Sequence, residues 1–307
     1  MKRICPHLRP HFRPLLLAAL FAGGIHAASA ATPMKLADYL ALVGPAPTAR
    51  IPYGEAPSQY AELFLPPGSG PFPVAVLVHG GCWTSNFGGI AQLRNMAGAL
   101  AARGIAVWNV EYRRTDEAGG GYPGTYQDMH AALDLLAAQA GRYPLDLERL
   151  VAVGHSAGGQ LVQWMAGRAR IPAASPLHRA QTLKVPAVVS LGGLADLRNE
   201  AALIKSSCGR DSAELAGVPG PGRPDVFVDT NAAELLPNGS RTWLVTGELD
   251  TISPPRVARD YAARARKAGD HAEVVILPGA SHYDEVAASS PAWPQVLATI
   301  ERALGRP

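Results

Sequence analysis

Short, uniformly apolar runs alternate with longer stretches of helical periodicity along most of this chain, and few folds accept that rhythm. The runs at 74–78, 105–110, 150–153, 187–191, 242–245 and 273–277 have the pattern of strands buried on both faces. A strand hidden on both sides needs helices above and below it, and helical patterns fall between the runs at 89–103, 126–140, 158–168, 255–267 and 292–304. The expected fold class is therefore α/β: a mostly parallel central sheet with helices on both faces, occupying 59–307 as one domain. The run at 59–65 alternates apolar and polar residues and reads as an edge strand. Hydrophobic residues make up 48% of the chain and charged ones 17%, enough for a large core and unlike a disordered chain.

Three segments stand outside the rhythm. Residues 1–30 open with Lys2, Arg3, Arg9 and Arg13, continue as an apolar run over 15–25 and end on Ala28-Ser29-Ala30, the pattern of a secretory signal peptide cut after Ala30. That run is too short for the ~20 residues that cross a bilayer. The leader holds four basic side chains and no acidic ones, so its removal takes the net charge from +3 to −1. Bulk charge then gives no expectation of nucleic-acid or membrane-surface binding, and the expected location is periplasmic or extracellular. Residues 31–58, rich in Pro, Ala and Gly with one amphipathic piece at 34–43, read as an N-terminal arm. Residues 195–241 are long, Gly- and Pro-rich and only weakly helical, and read as an insertion or lid-like segment before the run at 242–245. They leave a strand at its C-terminal end, where open α/β sheets place their ligands.

The chemistry gathers at the ends of the runs. Gly154-His155-Ser156-Ala157-Gly158 follows one strand and precedes a helical pattern, the context of a nucleophile elbow, in which glycines let the chain turn sharply and expose the serine oxygen. A neutral serine is a poor nucleophile and needs a base, which in turn needs an orienting acid, in chain order Ser, acid, His. Asp250 ends the loop after the run at 242–245, and His282 ends the tight loop Pro278-Gly-Ala-Ser-His282 after the run at 273–277. Glu248 competes with Asp250 as the acid, and Asp250 alternatively caps the next helix. His271 and His178 compete with His282, and His155 reads as a packing residue. His79-Gly80-Gly81-Cys82-Trp83, at the end of the run at 74–78, offers backbone amides for an oxyanion hole from Gly81 and Cys82, with Ala157 as the other donor. Gly80 and Trp83 are expected beside the substrate.

The pairing of His-Gly-Gly-Cys-Trp with Gly-His-Ser-Ala-Gly-Gly, together with Glu111-Tyr112-Arg113 after a strand, resembles the esterase and kynurenine-formamidase-like branch of the α/β-hydrolase superfamily over roughly 59–304. The resemblance implies a Ser156, Asp250, His282 triad, an oxyanion hole at the HGGxW segment, and hydrolysis of a small-molecule ester or amide without cofactor or metal. A leader is unusual for formamidases acting on cytosolic tryptophan catabolites. The expectation is therefore an exported carboxylesterase, with an arylformamidase as the alternative and a non-catalytic ligand-binding protein as the remote one. No CxxC or HExxH spacing points to zinc. Cys82 and Cys208 remain after leader removal, and the sequence leaves open a disulfide between them or two buried thiols.

Overall fold

The computed structural model describes Met1 and residues 32–306, so the expected leader lies outside the described residues. Among the described residues, eight strands form one sheet. They are β1 (Ala49–Pro52), β2 (Tyr60–Phe64), β3 (Phe72–Val78), β4 (Ala106–Val110), β5 (Leu145–His155), β6 (Ala187–Leu191), β7 (Arg241–Gly247) and β8 (Ala272–Leu277). Their order is β1-β2-β4-β3-β5-β6-β7-β8; β1, β2 and β4 pair antiparallel and every later pairing is parallel.

Because side chains alternate along a strand, each apolar run feeds two cores at once. Val74, Val76 and Val78 of β3 enter one core, where they meet α3 (Gly124–Gln139), α4 (Ala157–Gly167) and α7 (Pro255–Ala268) through residues such as Met129, Leu161 and Tyr261. Ala75 and Leu77 enter the other, closed by α2 (Ile90–Ala102) and α8 (Trp293–Ala303) through Met96, Leu100, Val296 and Ile300. No helix among the described residues is long and apolar enough to cross a membrane.

Two expectations need correction. The run at 59–65 is not the sheet edge, because β1 pairs with β2 through Ala49↔Leu63 and Pro52↔Tyr60 and takes the edge position itself. Four residues with a half-exposed pattern and a closing proline make too weak a run to read as a strand, yet suit an edge. The polar member of the run, Glu62, is buried within β2 and is held by the guanidinium of Arg94 on α2.

The segment at 195–241 is also more structured than its composition suggests. It contains α5 (Ala201–Cys208), α6 (Ser212–Ala216) and a single 3-10 turn at Ala232–Leu235, and buries Ile204, Leu215, Ala232 and Leu235 in the first core. Asp229 pins it, pairing with Arg223 at 2.6 Å while its backbone oxygen accepts from the Trp164 indole at 2.7 Å. The arm holds one short helix, α1 (Leu36–Leu40).

Candidate active site

Ser156 occupies the junction of β5 and α4 with φ 53° and ψ −117°, a conformation that L residues rarely adopt and that the surrounding structure must enforce. The enforcement is glycine at its flanks. A Cβ on Gly158 would lie 2.1 Å from the Val78 carbonyl oxygen, and one on Gly154 would lie 2.2 Å from the Gly158 oxygen, so neither strand nor helix could approach with larger residues. The Ser156 amide donates to Leu191 O at 2.8 Å, which ties the elbow to β6.

His282 and Asp250 meet as the strand order requires, since β7 and β8 are parallel neighbours and both residues leave at C-terminal ends. His282 Nδ1 donates to Asp250 Oδ2 at 2.7 Å, and both side chains are almost wholly buried. Asp250 is itself oriented by the amides of Ile252 and Ser253, each 2.8 Å from Oδ1. With Nδ1 as donor, the other ring nitrogen of His282 carries the lone pair. Ser156, His282, Gly81 and Cys82 all line one narrow cavity of about 50 Å³.

The competing residues fall elsewhere. Glu248 accepts from the Gly279 amide at 2.9 Å and braces the loop that carries His282. His271 packs near Trp243, and His178 lies 3.0 Å from the Ile171 carbonyl oxygen. Gly80 and Trp83, expected beside the substrate, do not line the cavity. Gly80 sits behind the nucleophile, where a Cβ would come within 2.9 Å of Ser156 Cβ, and Trp83 is 2% exposed within the core. Ala157 is fully buried at the first turn of α4.

His155 differs from the expectation that it points away into packing. Its ring lines the cavity 4.5 Å from that of His282, and its Nε2 donates to the His282 backbone oxygen at 3.0 Å. Burial and the neighbouring His282 hold it well below the ordinary imidazole range, so it is a neutral donor. His155, His282 and Glu285 do bring ligand-type atoms within 4.8 Å of one another. In these residues His282 Nδ1 is hydrogen-bonded to Asp250, His155 Nε2 to the His282 backbone oxygen, and Glu285 Oε1 to the Gly247 amide.

The sequence reading missed most of the cavity wall. Leu36 and Tyr39 come from α1 in the arm, Phe87 from the turn after the HGG segment, Ser207 from α5, Ile252 from the Asp250 loop, and Tyr283 follows the histidine. The arm is fastened at this point, because the Met34 amide donates to Asp284 at 3.0 Å and the Met34 oxygen accepts from Ser281 at 2.7 Å. Only the amphipathic piece at 34–43 signalled that the arm packs against anything.

Glu111 and Tyr112 of the Glu111-Tyr112-Arg113 motif brace the glycine loop, while Arg113 pairs with Asp128. His79 Nε2 donates to Glu111 at 2.7 Å, Tyr112 stacks on the His79 ring at 4.4 Å and donates to the His79 oxygen, and Arg114 pairs with Glu111 at 2.7 Å. Burial alone would raise the Glu111 carboxyl, but His79, Arg114 and the Tyr112 amide outweigh it and hold it at about 2. A depressed carboxylate stabilises the fold above its unfolded value of 4.5 and loses that contribution as the pH falls towards 2. Glu111→Gln is expected to lower Tm most above pH 5, with the gap to the parent closing as the pH approaches 2. A gap that is constant from pH 6 to 2 would contradict this account.

Comparisons with known proteins bear on the fold and the family. The BD-FAE family model matches residues 61–261. A bacterial heroin esterase is 25% identical with a TM-score of 0.64, covering 83% of this chain and 82% of that one. Esterase B from Lactobacillus rhamnosis, solved with an inhibitor, is 19% identical with a TM-score of 0.71, covering 88% and 90%. A bifunctional GH43-CE protein from Bacteroides eggerthii is 22% identical with a TM-score of 0.66 over 84% of this chain, which spans only 35% of that protein's length. No curated protein matches the chain. These likenesses establish the α/β-hydrolase fold, and the family match, extending over more than half of the sequence, makes this chain a member of the BD-FAE family.

Proposed function

We propose that the protein is a serine hydrolase that cleaves carboxylic esters through an acyl-enzyme, with Ser156 as nucleophile, His282 as base and Asp250 as the residue that orients it. The observation that carries this reading is the 2.7 Å contact of His282 with Asp250, in one cavity with a serine held at an elbow. The Ser156 oxygen attacks the ester carbonyl carbon while its proton passes to the free ring nitrogen of His282. The amides of Gly81, Cys82 and Ala157 are the proposed donors to the oxyanion. Collapse of the intermediate breaks the ester C–O bond, and His282 returns the proton to the departing alcohol. Water, deprotonated by His282, then attacks the acyl carbon and releases the acid and free Ser156.

The cavity beside Ser156, at about 50 Å³, is far smaller than the roughly 300–1,000 Å³ of sites that take drug-sized ligands. That favours short acyl groups such as acetyl over long chains. The Cys82–Cys208 bridge supports an oxidising compartment and hence export through residues 1–30. Labelling with a fluorophosphonate probe tests the chemistry directly: the parent protein is expected to be modified at Ser156, and Ser156→Ala to stay unlabelled. In a hydrolysis series, acetyl and propionyl esters are expected to exceed octanoyl esters in kcat/KM by tenfold or more. Unlabelled parent protein would leave a ligand-binding role, whereas faster hydrolysis of N-formylkynurenine than of any ester would shift the substrate class to arylformamides.

A further inference from the structure

Asp250 has a second acidic neighbour that the triad chemistry does not use. Glu285 follows the histidine by three residues, in a 3-10 turn at Asp284–Val286, and its side chain is fully buried. One carboxyl oxygen, Oε1, accepts from the Gly247 amide at 2.7 Å. The other, Oε2, is buried with no partner among the described residues. It lies beside His282, since a Cβ built on Gly192 would meet Glu285 Oε2 at 2.6 Å and His282 Nδ1 at 2.8 Å. Gly192 has φ +52°, so both backbone conformation and space demand glycine there, and its lack of a side chain lets the two groups share one volume.

The groups facing this carboxyl are Asp250, Asp284, His282 and His155, and none is a permanent cation. An ionised carboxylate buried with a bare oxygen and two acidic neighbours would be costly, and such a group takes up a proton instead. Asp250 meanwhile accepts two amides at Oδ1 and one imidazole N–H at Oδ2, while a carboxylate offers about four acceptor positions. One proton on Oε2 answers both vacancies.

We propose that Glu285 is a positioning residue of the triad: it stays protonated at neutral pH and donates from Oε2 to the Asp250 carboxylate, completing the set of donors that holds the acid against His282. The proposal rests on the reading of Asp250 and His282 as orienting acid and base.

Glutamine keeps the shape and can donate one N–H to Asp250 while accepting from Gly247, so it mimics the protonated acid. A carboxylic acid raised in the fold holds a proton that the unfolded chain gives up above about 4.5, so its contribution to stability falls as the pH rises. Glutamine has no such penalty. The Tm of Glu285→Gln minus that of the parent is therefore expected to rise by roughly 5 °C between pH 4 and pH 7. Glu285→Leu, which cannot donate, is expected to lose about 10- to 100-fold in kcat with little change in KM, and Glu285→Gln to rescue most of it without moving the acid limb of the pH–rate profile.

A Tm difference that stays flat from pH 4 to 7, or a Glu285→Gln acid limb displaced from the parent's, would mean that Glu285 is ionised and overturn the proposal. The thermal measurement needs no activity, so it fails or succeeds independently of the triad assignment. Conversely, an Asp250→Asn variant with full activity would sink the triad reading while leaving the thermal result untouched.

Discussion

Ser156→Ala is expected to lower kcat by about 10⁶-fold, and His282→Ala by a similar factor, because a base without a nucleophile and a nucleophile without a base are equally idle. Asp250→Asn is expected to cost about 10⁴-fold: an amide NH₂ facing Nδ1 favours the tautomer whose lone pair points at the acid and not at the serine. Residual turnover would come from the oxyanion donors and binding alone. Combining Ser156→Ala with either partner change should therefore add almost nothing. The folded state should persist in Ser156→Ala, since the change removes one oxygen and leaves the glycine-enforced elbow unchanged. Glu248→Gln should keep turnover within a few-fold, because Glu248 only accepts the Gly279 amide. If Glu248→Gln were inactive and Asp250→Asn active, the acid would have been misassigned, whatever the 2.7 Å contact suggests.

The proposed triad residues are legible in the sequence because each belongs to a local pattern that parallel sheets impose. A strand, a glycine-flanked serine and a helix leave one way to turn the chain, and parallel neighbours β7 and β8 must deliver Asp250 and His282 to the same edge. Glu285 was not legible for a related reason. Nothing in the local sequence Tyr283-Asp284-Glu285 marks the acid as buried, and only the closure of the turn onto Gly247 and Gly192 shows that Glu285 is fully buried. Burial of an acid is a tertiary property with no signature in its neighbours.

The cavity wall escaped sequence reading because its pieces are far apart and ordinary in composition. Tyr39 comes from an arm helix of five residues whose amphipathic pattern shows that it packs but not which part of the domain it covers. Ser207 and Ile252 meet there only because α5 folds back over the sheet edge, where Ser207 lies against the Ile252 carbonyl. His155, next to Ser156 in the chain, reads as a packing residue, yet its ring lines the cavity. Its contact with the His282 carbonyl depends on where the loop after β8 closes, which β5 by itself does not disclose.

Reducing the Cys82–Cys208 disulfide is expected to have the largest effect on stability. The two Cα atoms are 5.5 Å apart, and the bridge spans a sequence separation of 126 residues. Closing a loop of that size restricts the unfolded chain by about 5 kcal/mol in the entropy model. At 2–4 °C per kcal/mol, reduction or a Cys82→Ala, Cys208→Ala double variant should lower Tm by roughly 10 °C or more. The bridge also joins two walls of the site: Cys82 follows Gly81 in the loop facing Ser156, and Ser207 beside Cys208 lines the same cavity. Cys82 carries a positive φ of 52°, so releasing its side chain frees a backbone conformation that only surrounding constraints maintain. Turnover should therefore fall along with stability, while fluorophosphonate labelling of Ser156 persists at a reduced rate, because neither cysteine belongs to the proposed triad. Titration of the denatured, unreduced protein lacking residues 1–30 should find no free thiol, and two after reduction. Two thiols before reduction would remove the bridge, and unchanged kcat after reduction would restrict it to holding the fold rather than shaping the oxyanion loop.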